Sequence, residues 1–501
     1  MHQETRGGGI LKLSCRKGGY LKILTKDELY DIHLATLEVL EHTGVKVEHE
    51  GALKALDNIG AYVDYKKQHV YFPQDLVQEM IKKTPKRFTY YGRNPKLKLS
   101  IENDRVYFLD GGTPIKVLDL DGNYRPATLT DLANLVRLYD ALENVNLIAG
   151  PVFPTDIPEE VHHVYDYLTK LENTEKPFTH AHYVGMTEAK DIIKMACVVA
   201  GGIDELRRKP SIMGWENPIS PLAHGTAQIE NMLEFARYGL PIVIAPAIQS
   251  GATGPVSLAG VLVQQNTEVL SGFVIAQSVA EPGRRPPLIY GSVPAVFDMK
   301  YGTIVYGCAE AALMNAASVQ LARYYGVVCR GTVGTESKIP DMQAGYESSI
   351  TMLMLALAGC NLIMNAAGGA LAPGIDAMSF EKAVIDNEVA GIISRILTGI
   401  DVSDETLAID VINEVGPYGQ YLSHKHTLRL LEKEHYIPKI SDKKPYDTWV
   451  KSGAKNIRAV AKEHVKHILR EHHPSPLDKD LKEQLLRIIK EVEERDLKAN
   501  N

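Results

Sequence analysis

The chain has 501 residues, 45% of them hydrophobic and 23% charged, with a net charge of -7. That length can bury a large core and still carry extensions, and the acidic balance excludes the basic footprint of a nucleic-acid binder. No apolar run approaches the roughly 18 residues of a membrane span. The opening stretch, MHQETRGGGILKLSCRKGGY, has no apolar signal-peptide core. Cys15, Cys197, Cys308, Cys329 and Cys360 are odd in number and widely spaced, which points to a reducing compartment without a disulfide framework. A cytoplasmic protein of enzyme size is expected.

After a Gly-rich start, Thr25 and Glu28 form a capping box for a helix, and Gly44 stands where its stop belongs. Leu29, Ile32, Ala35, Thr36, Val39 and Leu40 supply its apolar stripe. Short pieces follow: strands near 45–47, 61–64 and 69–72, helices over 51–59 and 73–83, and a strand at 88–91. This mixture predicts an N-terminal α+β cap over residues 1–104.

From residue 105 the pattern becomes regular. Candidate strands are 106–109, 147–153, 178–183, 211–215, 242–247, 288–292, 326–329 and 361–365, each a short apolar run bounded by turn residues. Helical patterns lie between them. One starts at Thr128 and places Leu132, Leu135, Val136, Tyr139 and Leu142 on one face; another runs over about 256–279. Such alternation implies parallel pairing through right-handed crossovers. Eight units over about 290 residues predict an α/β fold of the (β/α)8 TIM-barrel type spanning 105–400. An open doubly wound sheet is the competing topology, but no GxGxxG follows a strand. Residues 401–501 form a C-terminal, mainly helical extension, in which 416–430 is expected to lie over one barrel mouth. The last helix, 478–497, carries Leu481, Leu485, Ile488, Ile489 and Val492 on one face.

In such a barrel the carboxyl ends of the strands hold the reactive groups. The aromatics Phe153, Tyr183, Trp215 and Tyr290 come from four strands, with Asp110, Glu216 and Glu336 as carboxylates that can stand nearby. Aromatic faces plus a carboxylate make a box for a quaternary ammonium group; the duller alternative is that these rings fill the interior. His180 and His182 alternate on one side of a strand, and with Asp110 they would make a metal triad, or else a hydrogen-bonded pair. His162, His163 and Asp166 sit on a polar helical pattern and are expected at the surface. No nucleophile elbow, P-loop, HExxH or CxxC is present.

The stretch GTVGTESKIPDMQAGYES at 331–348, with LDGGTP at 109–114 and GATGPVSLAG at 251–260, resembles the trimethylamine methyltransferase superfamily. HKHT at 424–427, the region of Trp449 and the N-terminal pattern LEVLEHTGVKVEHEGALKALDNIGAYVD extend the resemblance over nearly the whole chain. It implies a (β/α)8 barrel that moves a methyl group from an amine to a corrinoid on a separate small protein. Founding members carry pyrrolysine at the position matching about Gly334, where this chain has Val333-Gly334-Thr335. The chain thus resembles the branch without pyrrolysine, whose members demethylate betaine-type quaternary amines.

The resemblance implies methylcobalamin chemistry on a small cognate corrinoid protein, no tightly bound cofactor or metal in this chain, and a homo-oligomer. On that reading Trp215, Tyr183, Phe153 and Tyr290 would box the trimethylammonium, and Asp110 or Glu216 would offset its charge. Arg330, His180 or His182 would hold a carboxylate. Gly334 would leave space at the reacting methyl, and Glu336 stands in the same catalytic loop. Two other classes remain open at this point: a metal-dependent barrel hydrolase or lyase using Asp110, His180 and His182, and a catalytically silent partner that binds a betaine or a corrinoid protein.

Overall fold

The computed structural model describes residues 16–179 and 185–497. Its centre is a parallel sheet of six strands: β1 (Arg105–Phe108), β2 (Gly214–Glu216), β3 (Ile242–Ile244), β4 (Leu288–Gly291), β5 (Cys329–Thr332) and β6 (Leu362–Met364). They pair in the order β1-β6-β5-β4-β3-β2, with Arg16–Lys17 added antiparallel to the free side of β1. Beyond β1, parallel bridges join Leu109 to Leu147 and Ile148 to Phe178. Strands therefore stand at six of the expected places, mostly shorter than expected, with β5 beginning at Cys329 where the apolar run 326–329 ends; the expected strand 147–153 is represented by single bridges, and the expected strand 178–183 lies mostly outside the described residues.

Eight helices follow these segments: α1 (Leu129–Ala141), α2 (His162–Asn173), α3 (Met186–Ala200), α4 (Thr226–Arg237), α5 (Leu258–Val279), α6 (Ala309–Tyr324), α7 (Met342–Ala358) and α8 (Phe380–Thr398). Local chemistry sets several starts. Thr128 accepts the amide of Asp131, whose carboxylate returns to the Thr128 amide, closing a capping box at α1. Asp341 caps α7 and Ser379 caps α8 by accepting amides of the first turn. At the N-terminus, Thr25 and Glu28 form the expected capping box of helix Lys26–Glu38.

Alternation along the strands divides the core. Ile242, Ile244, Leu288, Tyr290, Cys329 and Ile363 belong to the large cluster shared with the helices. Their neighbours Trp215, Val243, Ala245, Ile289, Leu362 and Met364 form a second cluster with Leu109, Leu147 and Ala149. Side chains two residues apart share a face, so the second cluster marks the inner face. The hairpin Phe88–Tyr91/Lys98–Ile101 adds Tyr90, Leu99 and Ile101 to it. The Tyr90 hydroxyl donates to the Phe178 carbonyl at 2.8 Å, and the Tyr107 hydroxyl donates to Ser100 O at 3.2 Å. This is a mixed α/β fold with its helices on the outer face. No helix of the described residues is long and apolar enough to cross a membrane.

N-terminal helices Lys26–Glu38, Glu50–Asn58 and Gln74–Lys83 pack on α5; C-terminal helices Ile457–Glu471 and Lys479–Asp496 pack on α8 and α3. Residues 400–437 behave differently from the expectation of a cover over the sheet ends. They form an excursion from the end of α8 in which Leu430 is the one residue among the described helices there that is buried.

Candidate functional site

The inner face at the carboxyl ends of the strands is built around β5. With Cys329 and Gly331 turned to the helices, Arg330 and Thr332 point inward; a Cβ at Gly331 would meet Leu355 of α7. Arg330 is 7% exposed, and one guanidinium nitrogen donates to Thr332 Oγ1 at 2.6 Å and to Ser292 O at 3.1 Å. The guanidinium lies 5.7 Å over the ring of Trp215, whose own Nε1 donates to Thr179 Oγ1 at 3.2 Å. Arg330 Nε is buried and has no partner, and no carboxylate among the described residues pairs with this guanidinium. Burial pulls the Arg330 pKa down to about 10. A buried cation without a counter-ion is costly unless something anionic meets it.

Next to it stands a residue that sequence reasoning missed. Tyr306 follows the hairpin Ala295–Asp298/Thr303–Val305. Glu336 Oε1 accepts the Tyr306 amide at 2.7 Å, and both its oxygens accept the Gly307 amide at 3.1 Å. A Cβ added to Gly334 would fall far inside contact with the Cβ of Tyr306. Burial raises the Tyr306 phenol, with the Arg330 charge acting the other way. Burial also raises Glu336, against the pull of the two amides. Only its place after a hairpin brings Tyr306 here, and no periodicity announces that.

The LDGGTP segment forms a strained rim at the end of β1. Gly111 and Gly112 have φ of 142° and 100°, Thr113 has 44°, and facing Asn365 has 60°. A β-branched residue at positive φ is rarely tolerated, and such strain collects at functional sites. Thr113 Oγ1 and Asn365 Oδ1 are buried without partners. Nearby, Phe153 stacks on His162 at 3.7 Å and 6°; both line a cavity of about 330 Å³ with Thr113, Ile115 and His163.

Of the expected site residues, the inner face unites Trp215 and Arg330, with Phe153 at the rim. Others are placed elsewhere. Tyr290 faces the helices, where its hydroxyl donates to Asn266 Oδ1 of α5 at 3.1 Å. Glu216, one residue from Trp215, also points outward and lies 2.9 Å from His224 Nδ1, whose Nε2 is 2.8 Å from Ser271 Oγ of α5. Neither can box a ligand on the inner face. Asp110 is fully buried and fastens β1 to the next segment by accepting the amides of Ala149 at 2.5 Å and Gly150 at 3.3 Å; burial lifts its pKa to about 7. The space expected at Gly334 is taken by Tyr306, and Glu336 is engaged by backbone amides rather than open to a substrate. His180, His182 and Tyr183 lie outside the described residues.

His162, His163 and Asp166 are buried, contrary to the surface expectation. His163 Nε2 is 3.0 Å from Asp191 of α3, which also receives Arg495 of the C-terminal helix at 2.6 Å, so distant chain covers this face. Burial pushes His162 down to about 4. Among the described residues no group of three His, Cys, Asp or Glu side chains is placed to hold a metal ion.

Comparison with known proteins matches this chain over residues 4–495 to the family described as Trimethylamine methyltransferase (MTTB). It is 36% identical over 472 residues to the Glycine betaine methyltransferase of Desulfitobacterium hafniense strain Y51, covering 93% of this chain and 96% of that one. It is 37% identical to a Trimethylamine methyltransferase MttB of Desulfitobacterium hafniense strain DCB-2, covering 93% of each. Among solved structures, the Methanosarcina barkeri Monomethylamine Methyltransferase (MtmB) aligns with a TM-score of 0.45 at 12% identity, covering 90% of this chain and 95% of that one. The chain belongs to the trimethylamine methyltransferase family and is a methyltransferase.

Proposed function

We propose that this chain transfers a methyl group from a carboxylate-bearing quaternary amine, of the betaine type, to the cobalt(I) corrinoid of a separate small protein in the cytoplasm. The observation that carries the substrate half is Arg330: a buried guanidinium on the inner face, held over Trp215, with an uncommitted Nε and no paired carboxylate among the described residues. A carboxylate accepts two parallel N–H bonds from such a fork. The similarity to a glycine betaine methyltransferase supports the same class.

On this reading residues 105–400 close as a (β/α)8 barrel, supported by the parallel pairing that runs from β2 round to Phe178 and by the inner cluster shared by these strands. Residues 1–104 cap it and 401–501 extend it. The active site then lies at the carboxyl ends of the strands, where the strained LDGGTP rim, Phe153 and Tyr306 would stand around the ammonium end.

The chemistry asks for little acid-base work. When a quaternary ammonium loses a methyl, the C–N bond electrons stay on nitrogen and the leaving group is a neutral tertiary amine, while the corrinoid supplies the electron pair of the new bond. The chain would anchor the carboxylate on Arg330, keep that guanidinium over the Trp215 ring, and present the methyl outward in line with the acceptor. Excluding water from the cation leaves it less stabilised before attack than in solution.

The test mixes the purified protein anaerobically with a cobalt(I) corrinoid and a panel of methylated amines, and follows the visible spectrum for methylcobalt. Methylcobalt from a betaine, but not from trimethylamine or choline, is expected. No reaction with any betaine, or equal reaction with amines that lack a carboxylate, overturns the assignment.

A further inference from the structure

The central sheet has a seam beside Trp215. On one side β2 pairs in parallel with β3. On the other side no backbone pairing among the described residues joins β2 to the segment that ends at Thr179, and that segment meets Ile148 through a single bridge at Phe178. Side chains close the seam. Trp215 Nε1 donates to Thr179 Oγ1 at 3.2 Å, and Asn231 Oδ1 of α4 accepts the Trp215 amide at 3.3 Å. The indole beneath Arg330 is thus registered by Thr179, a residue whose own segment has few ladder bonds to steady it.

Lys170 supplies what the ladder lacks. It stands on α2, 1% exposed, one turn after Asp166. Its Nζ donates to Asp166 Oδ2 at 2.8 Å, to Thr179 O at 3.2 Å and to Ala149 O at 3.3 Å. An ammonium has three hydrogens and no acceptor, and three oxygens match them here. Ala149 is held through both of its backbone groups, since its amide goes to Asp110 Oδ1 at 2.5 Å. Next to Thr179, the Phe178 carbonyl accepts the Tyr90 hydroxyl at 2.8 Å. Burying a cation is costly unless it is paired and hydrogen-bonded, and Asp166 answers this one. Lys170 is electrically satisfied where Arg330 is not, so it does not compete for a substrate carboxylate.

We infer that Lys170 is a positioning residue for the substrate site: it clamps Ala149 and Thr179 so that the Thr179 hydroxyl holds the Trp215 indole under the Arg330 guanidinium. The inference rests on the reading of Arg330 as the carboxylate anchor. Strand carbonyls ordinarily take their hydrogen bonds from ladder amides; at this seam a buried lysine serves two of them from a helix. Without it Thr179 loses its tie to α2, and the indole loses the register that Thr179 imposes. A displacement of about 1 Å at a positioned group can cost on the order of a hundredfold in rate, so a clamp that touches no ligand still has leverage on one.

The test uses the full chain carrying Trp449→Phe, which leaves Trp215 as its one tryptophan, and adds Lys170→Met, Thr179→Val, both together, and Thr179→Ser. Without ligand, Lys170→Met should shift the Trp215 emission and its quenching by acrylamide in the same direction as Thr179→Val. Thr179→Ser keeps the hydroxyl and should match the parent. In calorimetry with glycine betaine, each of the first two variants should weaken binding several-fold, up to about tenfold for one hydrogen bond. The double variant should be no weaker than the weaker single, because both act on one indole. Unchanged emission and affinity in a folded Lys170→Met protein, or losses that add in the double variant, overturn the inference. If Lys170→Met does not fold, Lys170→Met/Asp166→Asn, which removes the carboxylate charge as well, carries the same measurements; if neither folds, Lys170 serves the fold alone and the inference falls. A parent that binds no betaine refutes the anchor reading instead, and the ligand-free emission still decides the role of Lys170.

Discussion

The guanidinium of Arg330 lies 5.7 Å over the ring of Trp215, so the aromatic face that suits a substrate cation already holds a protein cation. Trp215 thereby orients the group proposed to hold the carboxylate, and Thr179 in turn fixes the indole at 3.2 Å. A desolvated cation–π contact is worth about 2 kcal/mol, or roughly thirtyfold in affinity. Trp215→Ala should weaken betaine binding by about that factor in calorimetry without any corrinoid present, and unchanged affinity would refute the role.

Arg330→Lys keeps the charge but loses the fork. The expected signature is selective: KM for a carboxylate-bearing amine rises about 10- to 100-fold, in line with the ~1.5–3 kcal/mol of a charged hydrogen bond. Any slow reaction of amines without a carboxylate should be little changed. Equal losses for both kinds of amine would show that Arg330 supports the fold rather than the substrate.

Tyr306 and Gly334 form a pair that can be tested as a cycle. Gly334→Ala places a methyl against the Tyr306 Cβ, which is fixed to a backbone that Glu336 holds, so neither side yields cheaply. Overpacking of this kind costs about 1–3 kcal/mol, and chemical denaturation should show it. Tyr306→Gly in the same chain removes the clash, so the double variant should be less destabilised than the two single losses added. Strict additivity would mean that the two residues do not press on one another. Separately, Glu336→Gln turns an amide donor toward the Gly307 N–H and should cost about 1–3 kcal/mol for the same loop.

Much of the architecture was legible because it is written locally. The Thr25 box, the helix start at Thr128, the helix over about 256–279 and the last helix all follow from capping and 3.6-residue periodicity, which need no distant partner. Facing was harder. Tyr290 and Glu216 were expected inward, yet a one-residue difference in strand parity turns a side chain to the other face. Both strands read as continuous apolar runs, so hydrophobicity does not reveal the parity. His162 and His163 were misjudged for another reason: Arg495, more than 300 residues away, helps to cover them through Asp191. Tyr306 reaches Glu336 only because a hairpin folds back, an event with no signature in spacing.

Asp110 predicts a pH dependence of stability. Burial raises its folded pKa to about 7, against the amides of Ala149 and Gly150 and the charge of Lys170, while the unfolded value is about 3.9. Between those values the folded chain keeps a proton that the unfolded chain has released. The contribution of this group therefore falls as pH rises from about 4 to about 7 and is level beyond. Asp110→Asn retains the acceptor for the Ala149 amide but cannot ionise. Urea unfolding of both proteins at about pH 5 and pH 8 should show the wild type losing more stability over that interval than the variant, by an amount on the order of 1–3 kcal/mol. If the two lose the same amount, Asp110 is ionised throughout, and the amides and Lys170 outweigh its burial.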